Sequence, residues 1–188
     1  MKKKLSYNSP VILSFVVLSG IALALNTITN GKANLTLFST YHSSLIDPLT
    51  YLRFITHIFG HSSWEHYASN MIYILLLGPL LEEKYKSARI VEIVVVTALA
   101  TGLINYILFP DIVLCGASGV CFAFILLSSL TSFRKGEIPI TFLLVAVIFI
   151  GQQVVNGLLV VDNVSNMAHI VGGIVGAVFG FAILKNKC

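Results

Sequence analysis

Charge is scarce in this sequence: 11% of its 188 residues are charged and 56% are hydrophobic, whereas a soluble domain carries roughly 25% charged residues. A water-facing surface cannot be built from so few charges. Cysteine is also scarce. Cys115, Cys121 and Cys188 form an odd set without CxxC spacing, so neither a disulfide framework nor a zinc knuckle is indicated, and the three are expected to serve as small apolar residues. There is no HExxH, so the helix-borne zinc site of metalloproteases is missing. The formal net charge is +4, yet no basic stripe interleaved with aromatics occurs, and nucleic acid is not an expected partner. Internal repeats and paired broken helices are lacking too, which argues against an inverted-repeat transporter.

What remains is apolar sequence in runs of membrane-spanning length. A bilayer core about 30 Å thick needs about 20 helical residues at 1.5 Å rise each. Six such segments can be drawn, at residues 10–28, 67–81, 90–109, 112–130, 138–155 and 167–184. The expected fold is an all-α membrane protein, one domain over residues 1–188, with six transmembrane helices. Lys2, Lys3 and Lys4 ahead of the first run, and Ala22 and Ala24 near its end, resemble a signal peptide. The run is longer than the 7 to 15 or so residues usual in signals, so a retained helix is expected. Residues 29–66 form the long first loop, and Tyr41, Phe54, Phe59 and Trp64 within it favour the membrane interface.

Of twelve Lys and Arg residues, only Lys32 and Arg53 fall in one set of alternate loops; the other ten lie in the opposite set. The positive-inside rule then places both termini in the cytoplasm and the first loop outside.

Polar residues inside apolar spans are costly and mark function. On this topology the second, fourth and sixth helices begin at the outer face. They carry His66 and Asn70, Ser118, and His169 respectively. Ser118 follows the fourth boundary by six residues and His169 the sixth by two, depths within about 10 Å of the outer interface. His66 and Asn70 are i, i+4 and share a face, as do His169, Gly172, Gly176 and Gly180. Gly119 and Ala123 offer the fourth helix a matching small pair, so the two helices are expected to approach closely.

A serine hydroxyl attacks a carbonyl only when a base takes its proton, and His169 is the histidine available to Ser118. Oxyanion donors are available from Asn70, His66 and the backbone N–H of Ser118. No Asp or Glu lies at this depth, so a Ser-His dyad is expected rather than a triad. Phe122, one turn after Ser118, is a candidate to hold the imidazole by packing, with Asn166 as a neighbouring hydrogen-bond partner.

Gly116-Ala117-Ser118-Gly119 opening a membrane helix resembles the GxSG motif of the rhomboid family. Arg53, Thr56, Phe59, His61, His66 and Asn70 resemble the family stretch leading into the second helix, and Ala168-His169 with Gly172 and Gly176 resembles its sixth-helix motif. The resemblance covers about residues 53–176. It implies a rhomboid-like bundle with a long interfacial loop in a membrane of bacterial type. It also implies an intramembrane serine endopeptidase, without metal or organic cofactor, that cleaves single-pass membrane proteins near the outer boundary. The dyad would be Ser118 and His169, and the oxyanion residues His66 and Asn70. Arg53 and Glu82 match structural positions. Two residues depart from the pattern: Leu52 stands where many members have Trp, and Leu126 where the fourth helix commonly has Gly. The alternatives are a catalytically inactive rhomboid-like protein that binds membrane helices, and a metal site built on His57, His61 and His66. Substrate identity and oligomeric state are not legible in the sequence.

Overall fold

A computed structural model of the chain describes residues 7–130, 137–159 and 166–185. Residues 2–4 of the amino-terminal basic cluster lie outside this set, as do Arg134, Lys135, Lys187 and Cys188. The described residues form eight α-helices: α1 (Pro10–Ile28), α2 (Lys32–Leu37), α3 (Pro48–Thr56), α4 (Trp64–Tyr85), α5 (Ser87–Leu108), α6 (Ser118–Ser129), α7 (Ile140–Leu159) and α8 (Asn166–Lys185). There is no strand among them. A single antiparallel bridge joins Thr40 to Leu114.

α6 is the centre of the bundle and packs against α4, α5, α7 and α8. Val120, Ala123, Phe124 and Leu127 on it are fully buried. Beyond this apolar core, the molecule buries polar side chains inside its helices and exposes large apolar ones on its outside. Asn70, Glu82, Thr97, Thr101 and Asn105 are buried, while Val17, Leu18, Ile72, Leu76, Leu80, Val147 and Val178 are exposed. Apolar surface on this scale needs an apolar solvent. By length and composition α1 and α5 are each able to cross a bilayer.

Glu82 ties three helices together. Its carboxylate accepts from the backbone N–H of Val11 and Ile12, each at 3.1 Å, and from Ser87 Oγ at 2.7 Å. The first turn of α1, whose N–H groups have no intrahelical partners, is thereby capped by α4, with α5 joined through Ser87.

The first connection differs from a plain loop, since α2, α3 and a 3-10 turn at His57–Phe59 lie within it. Arg53 anchors it: buried, it donates from Nε to Thr36 O at 2.9 Å, lies 3.5 Å from Asp47 and stacks 4.9 Å from the Tyr41 ring centroid. Leu52 beside it is exposed and makes none of these contacts.

The expected fourth helix over 112–130 needs correction. Residues 112–117 are not helical, and α6 begins at Ser118. Ile112, Val113 and Leu114 are apolar enough to read as helix, but Leu114 exchanges two backbone hydrogen bonds of 2.9 Å with Thr40. Asn105 Nδ2 meanwhile donates to Ile112 O at 3.0 Å. These bonds hold the segment out of helical geometry.

Candidate active site

Close packing of α8 on α6 sets the site. A Cβ on Gly172 would sit 2.0 Å from Gly119 O, and one on Gly176 would sit 2.1 Å from Ala123 O. Only glycine permits this approach, and it carries His169, three residues before Gly172, to the start of α6. Leu126 fits because the opposing residue is Gly173, where an added Cβ would lie 3.7 Å from its side chain. In this chain the small residue of that pair stands on α8.

The turn before Ser118 is equally constrained. Gly116 has φ +129°, a conformation that L side chains rarely adopt, and its N–H donates to His57 O at 2.9 Å. A Cβ there would lie 2.8 Å from His66 Nε2 and 3.7 Å from Asn70 Nδ2. The bare backbone thus borders both side chains. Ser118 is the first residue of α6, where helix geometry leaves the backbone N–H unused.

A cavity of about 570 Å³ opens here, and Ser118, His169, His66 and Asn70 all line it. Four residues selected for polarity and spacing from three helices therefore share one wall. No carboxylate lines the cavity among the described residues. The His169 ring stacks on Phe122, with centroids 4.5 Å apart and planes within 8°. Phe122 in turn meets Phe149 of α7 edge to face at 5.5 Å. The Oδ1 atom of Asn166 is buried without a hydrogen-bond partner, so it does not serve as acceptor for the imidazole.

The tautomers of two rings follow from their neighbours. The backbone N–H of Ser62 points at His66 Nδ1 at 3.5 Å, with Ser62 Oγ at 3.1 Å. A backbone N–H can only donate, so Nδ1 accepts and the neutral ring carries its proton on Nε2, next to Gly116. His61 is the reverse. Its Nδ1 lies 3.0 Å from Phe59 O and must donate, leaving Nε2 to accept from Asn70 Nδ2 at 3.1 Å. Burial, reinforced by the adjacent His66, holds the His61 pKa down to about 4.

Sequence reasoning missed part of this wall. Ser62, Ser69, Cys115 and the stretch from Ile112 to Leu114 also line the cavity. Ser62 and Ser69 flank His66 at i−4 and i+3, a spacing that reveals them once His66 is suspected. His57, His61 and His66, the alternative metal set, use their rings on separate partners. His57 meets Arg53 O at 3.1 Å and Thr101 Oγ1 at 3.2 Å, whereas His61 meets Asn70 and His66 meets Ser62.

Residues 48–186 match the family model of the Rhomboid domain. The chain belongs to the rhomboid family. Rhomboid proteins are integral membrane proteins, and the family includes intramembrane serine proteases. This rhomboid chain is 30% identical over 143 residues to Rhomboid-related protein 1 of Caenorhabditis elegans, covering 71% of this chain and 40% of the relative. It is 28% identical over 133 residues to Rhomboid protease GlpG of Haemophilus influenzae, covering 69% of this chain and 68% of the relative. To the chloroplastic Rhomboid-like protein 11 of Arabidopsis thaliana it is 24% identical over 147 residues, 71% of this chain and 52% of the relative. The chain therefore spans about half the length of two of these relatives.

Proposed function

We propose that this rhomboid is an intramembrane serine endopeptidase that cleaves single-pass membrane proteins, with Ser118 as nucleophile and His169 as general base. The observation that carries the reading is the single cavity lined by Ser118, His169, His66 and Asn70. His169 takes the hydroxyl proton as Ser118 attacks a peptide carbonyl and returns it to the leaving amine. Stacking on Phe122 holds the imidazole plane. The oxyanion receives the Ser118 N–H, His66 Nε2–H and the Asn70 amide. No metal or organic cofactor has a part in this scheme.

Six helices, α1 and α4 to α8, are the proposed spans, with both termini cytoplasmic on the count of Lys and Arg. A 12-residue α6 is about 18 Å long against a hydrocarbon core of about 30 Å. With its C-terminus at the inner face, its N-terminal serine lies below the outer interface, reached by water through the cavity. A substrate helix must unwind locally to present a carbonyl there. Leaving backbone groups unpaired in lipid costs several kcal/mol, so segments containing Gly or Pro are the preferred substrates.

Reaction of the detergent-solubilised protein with a fluorophosphonate probe, followed by mass spectrometry, tests the assignment. The adduct is expected on Ser118, and Ser118→Ala and His169→Ala are expected to abolish cleavage of a model membrane substrate. Cleavage that survives either substitution defeats the dyad. A folded wild-type protein that neither reacts nor cleaves any membrane substrate is instead a non-catalytic binder of membrane helices.

A further inference from the structure

His61 lies outside the four residues of the proposed mechanism, yet it is fully buried and makes a directed contact to one of them. We infer that His61 is a positioning residue that fixes the side-chain amide of Asn70 with its N–H groups toward the reacting carbonyl. This inference rests on the proteolytic reading above.

The argument is one of hydrogen-bond direction. Phe59 O can only accept, so His61 Nδ1 bears the ring proton and Nε2 presents a lone pair. Across from that lone pair, 3.1 Å away, stands Asn70 Nδ2. Turning the amide over would set Asn70 Oδ1 against the lone pair. The ring cannot answer by moving its proton to Nε2 without facing Phe59 O with a second lone pair. On the other side of the amide, Cys121 Sγ lies 3.5 Å from Asn70 O and 3.7 Å from Asn70 Oδ1. A thiol donates weakly, and oxygen at that position suits it. The His61 lone pair selects the orientation, and the thiol is compatible with it. One Nδ2 hydrogen is used by His61, and the second remains for the cavity that Asn70 lines.

The ring is itself held. Asn34 Nδ2 donates to His61 O at 3.0 Å, and the ring packs edge to face on His66 at 5.0 Å and on Tyr67 at 5.5 Å. His61 therefore touches both side-chain donors of the proposed oxyanion site. The first loop reaches the chemistry through it.

A double-mutant cycle on the full chain tests the role. Asn70→Ala is expected to lower kcat by roughly 100-fold, and His61→Leu by about 10- to 100-fold with KM unchanged. Because His61 acts through Asn70, the double variant should be no slower than Asn70→Ala alone. His61→Gln, whose carbonyl can accept from Asn70, should restore most of the loss. Losses that multiply in the double variant overturn the positioning role while leaving Ser118-dependent proteolysis intact. Cleavage insensitive to Ser118→Ala overturns both readings. Should His61→Leu fail to fold, ¹⁵N spectra of the wild-type histidine rings decide: the Nδ1–H tautomer is expected at His61, and the Nε2–H tautomer overturns the inference.

Discussion

At the scale of single residues, Gly116 shows how much of this site is built from backbone. Its φ of +129° and the 2.8 Å from an added Cβ to His66 Nε2 are separate obstacles to any side chain. Strain of this kind costs of order 1–3 kcal/mol, and the His66 ring must also shift. Gly116→Ala is accordingly expected to reduce cleavage at least 10-fold while lowering the melting temperature in detergent; wild-type turnover in this variant would remove His66 from the proposed oxyanion site. Ser118, Asn70 and His169 were legible in the sequence because polar residues stand out inside apolar runs. The bond from His61 to Asn70 was not, since its direction depends on the carbonyl of Phe59. Nothing in the sequence marks Cys115 as more than a small apolar residue, although it lines the cavity together with Ser118.

Among the elements, the pairing of α6 with α8 was foreseeable from four small residues in register. Their backbone contact, 2.0 Å from a Gly172 Cβ to Gly119 O, makes the register strict. Neighbouring glycines separate packing from helix propensity. Gly172→Ala drives a methyl into backbone that cannot yield, so a loss of about 1–3 kcal/mol or more is expected, together with loss of activity as His169 is displaced. Gly173→Ala meets Leu126 at an ordinary 3.7 Å and should gain up to about 1 kcal/mol from helix propensity. Thermal melts of the two variants check this, and equal effects would contradict the tight α6–α8 contact. The bounds of α1 were readable to the residue because Pro10 and the polar residues after Ile28 end the apolar run on both sides. The start of α6 was not. Hydropathy cannot distinguish an apolar extended segment from a helix, and the bridge to Thr40 comes from a distant part of the chain.

For the whole molecule, the first connection is less a tether than a folded segment packed against the bundle, and two of its buried histidines make that packing sensitive to pH. His57, between α3 and α5, and His61, beside α4, are both held down to about 4 from 6.5, chiefly because burial disfavours the charged ring. In the unfolded chain each takes up a proton as pH falls below about 6.5, whereas in the fold each stays neutral until about pH 4. The native state then binds fewer protons than the unfolded state throughout this window, so stability falls as pH falls. Each ring contributes a slope of about 1.4 kcal/mol per pH unit at most. Above pH 7 these groups add no slope. Unfolding in mild detergent should therefore show a constant midpoint from pH 7 to 8 and a fall between pH 6.5 and 5, above the range where exposed carboxylates titrate. His57→Gln, which cannot titrate, should remove part of that slope. A midpoint unchanged down to pH 5 would mean that both rings are charged in the fold, and the neutral contacts to Thr101 and Asn70 would have to be redrawn.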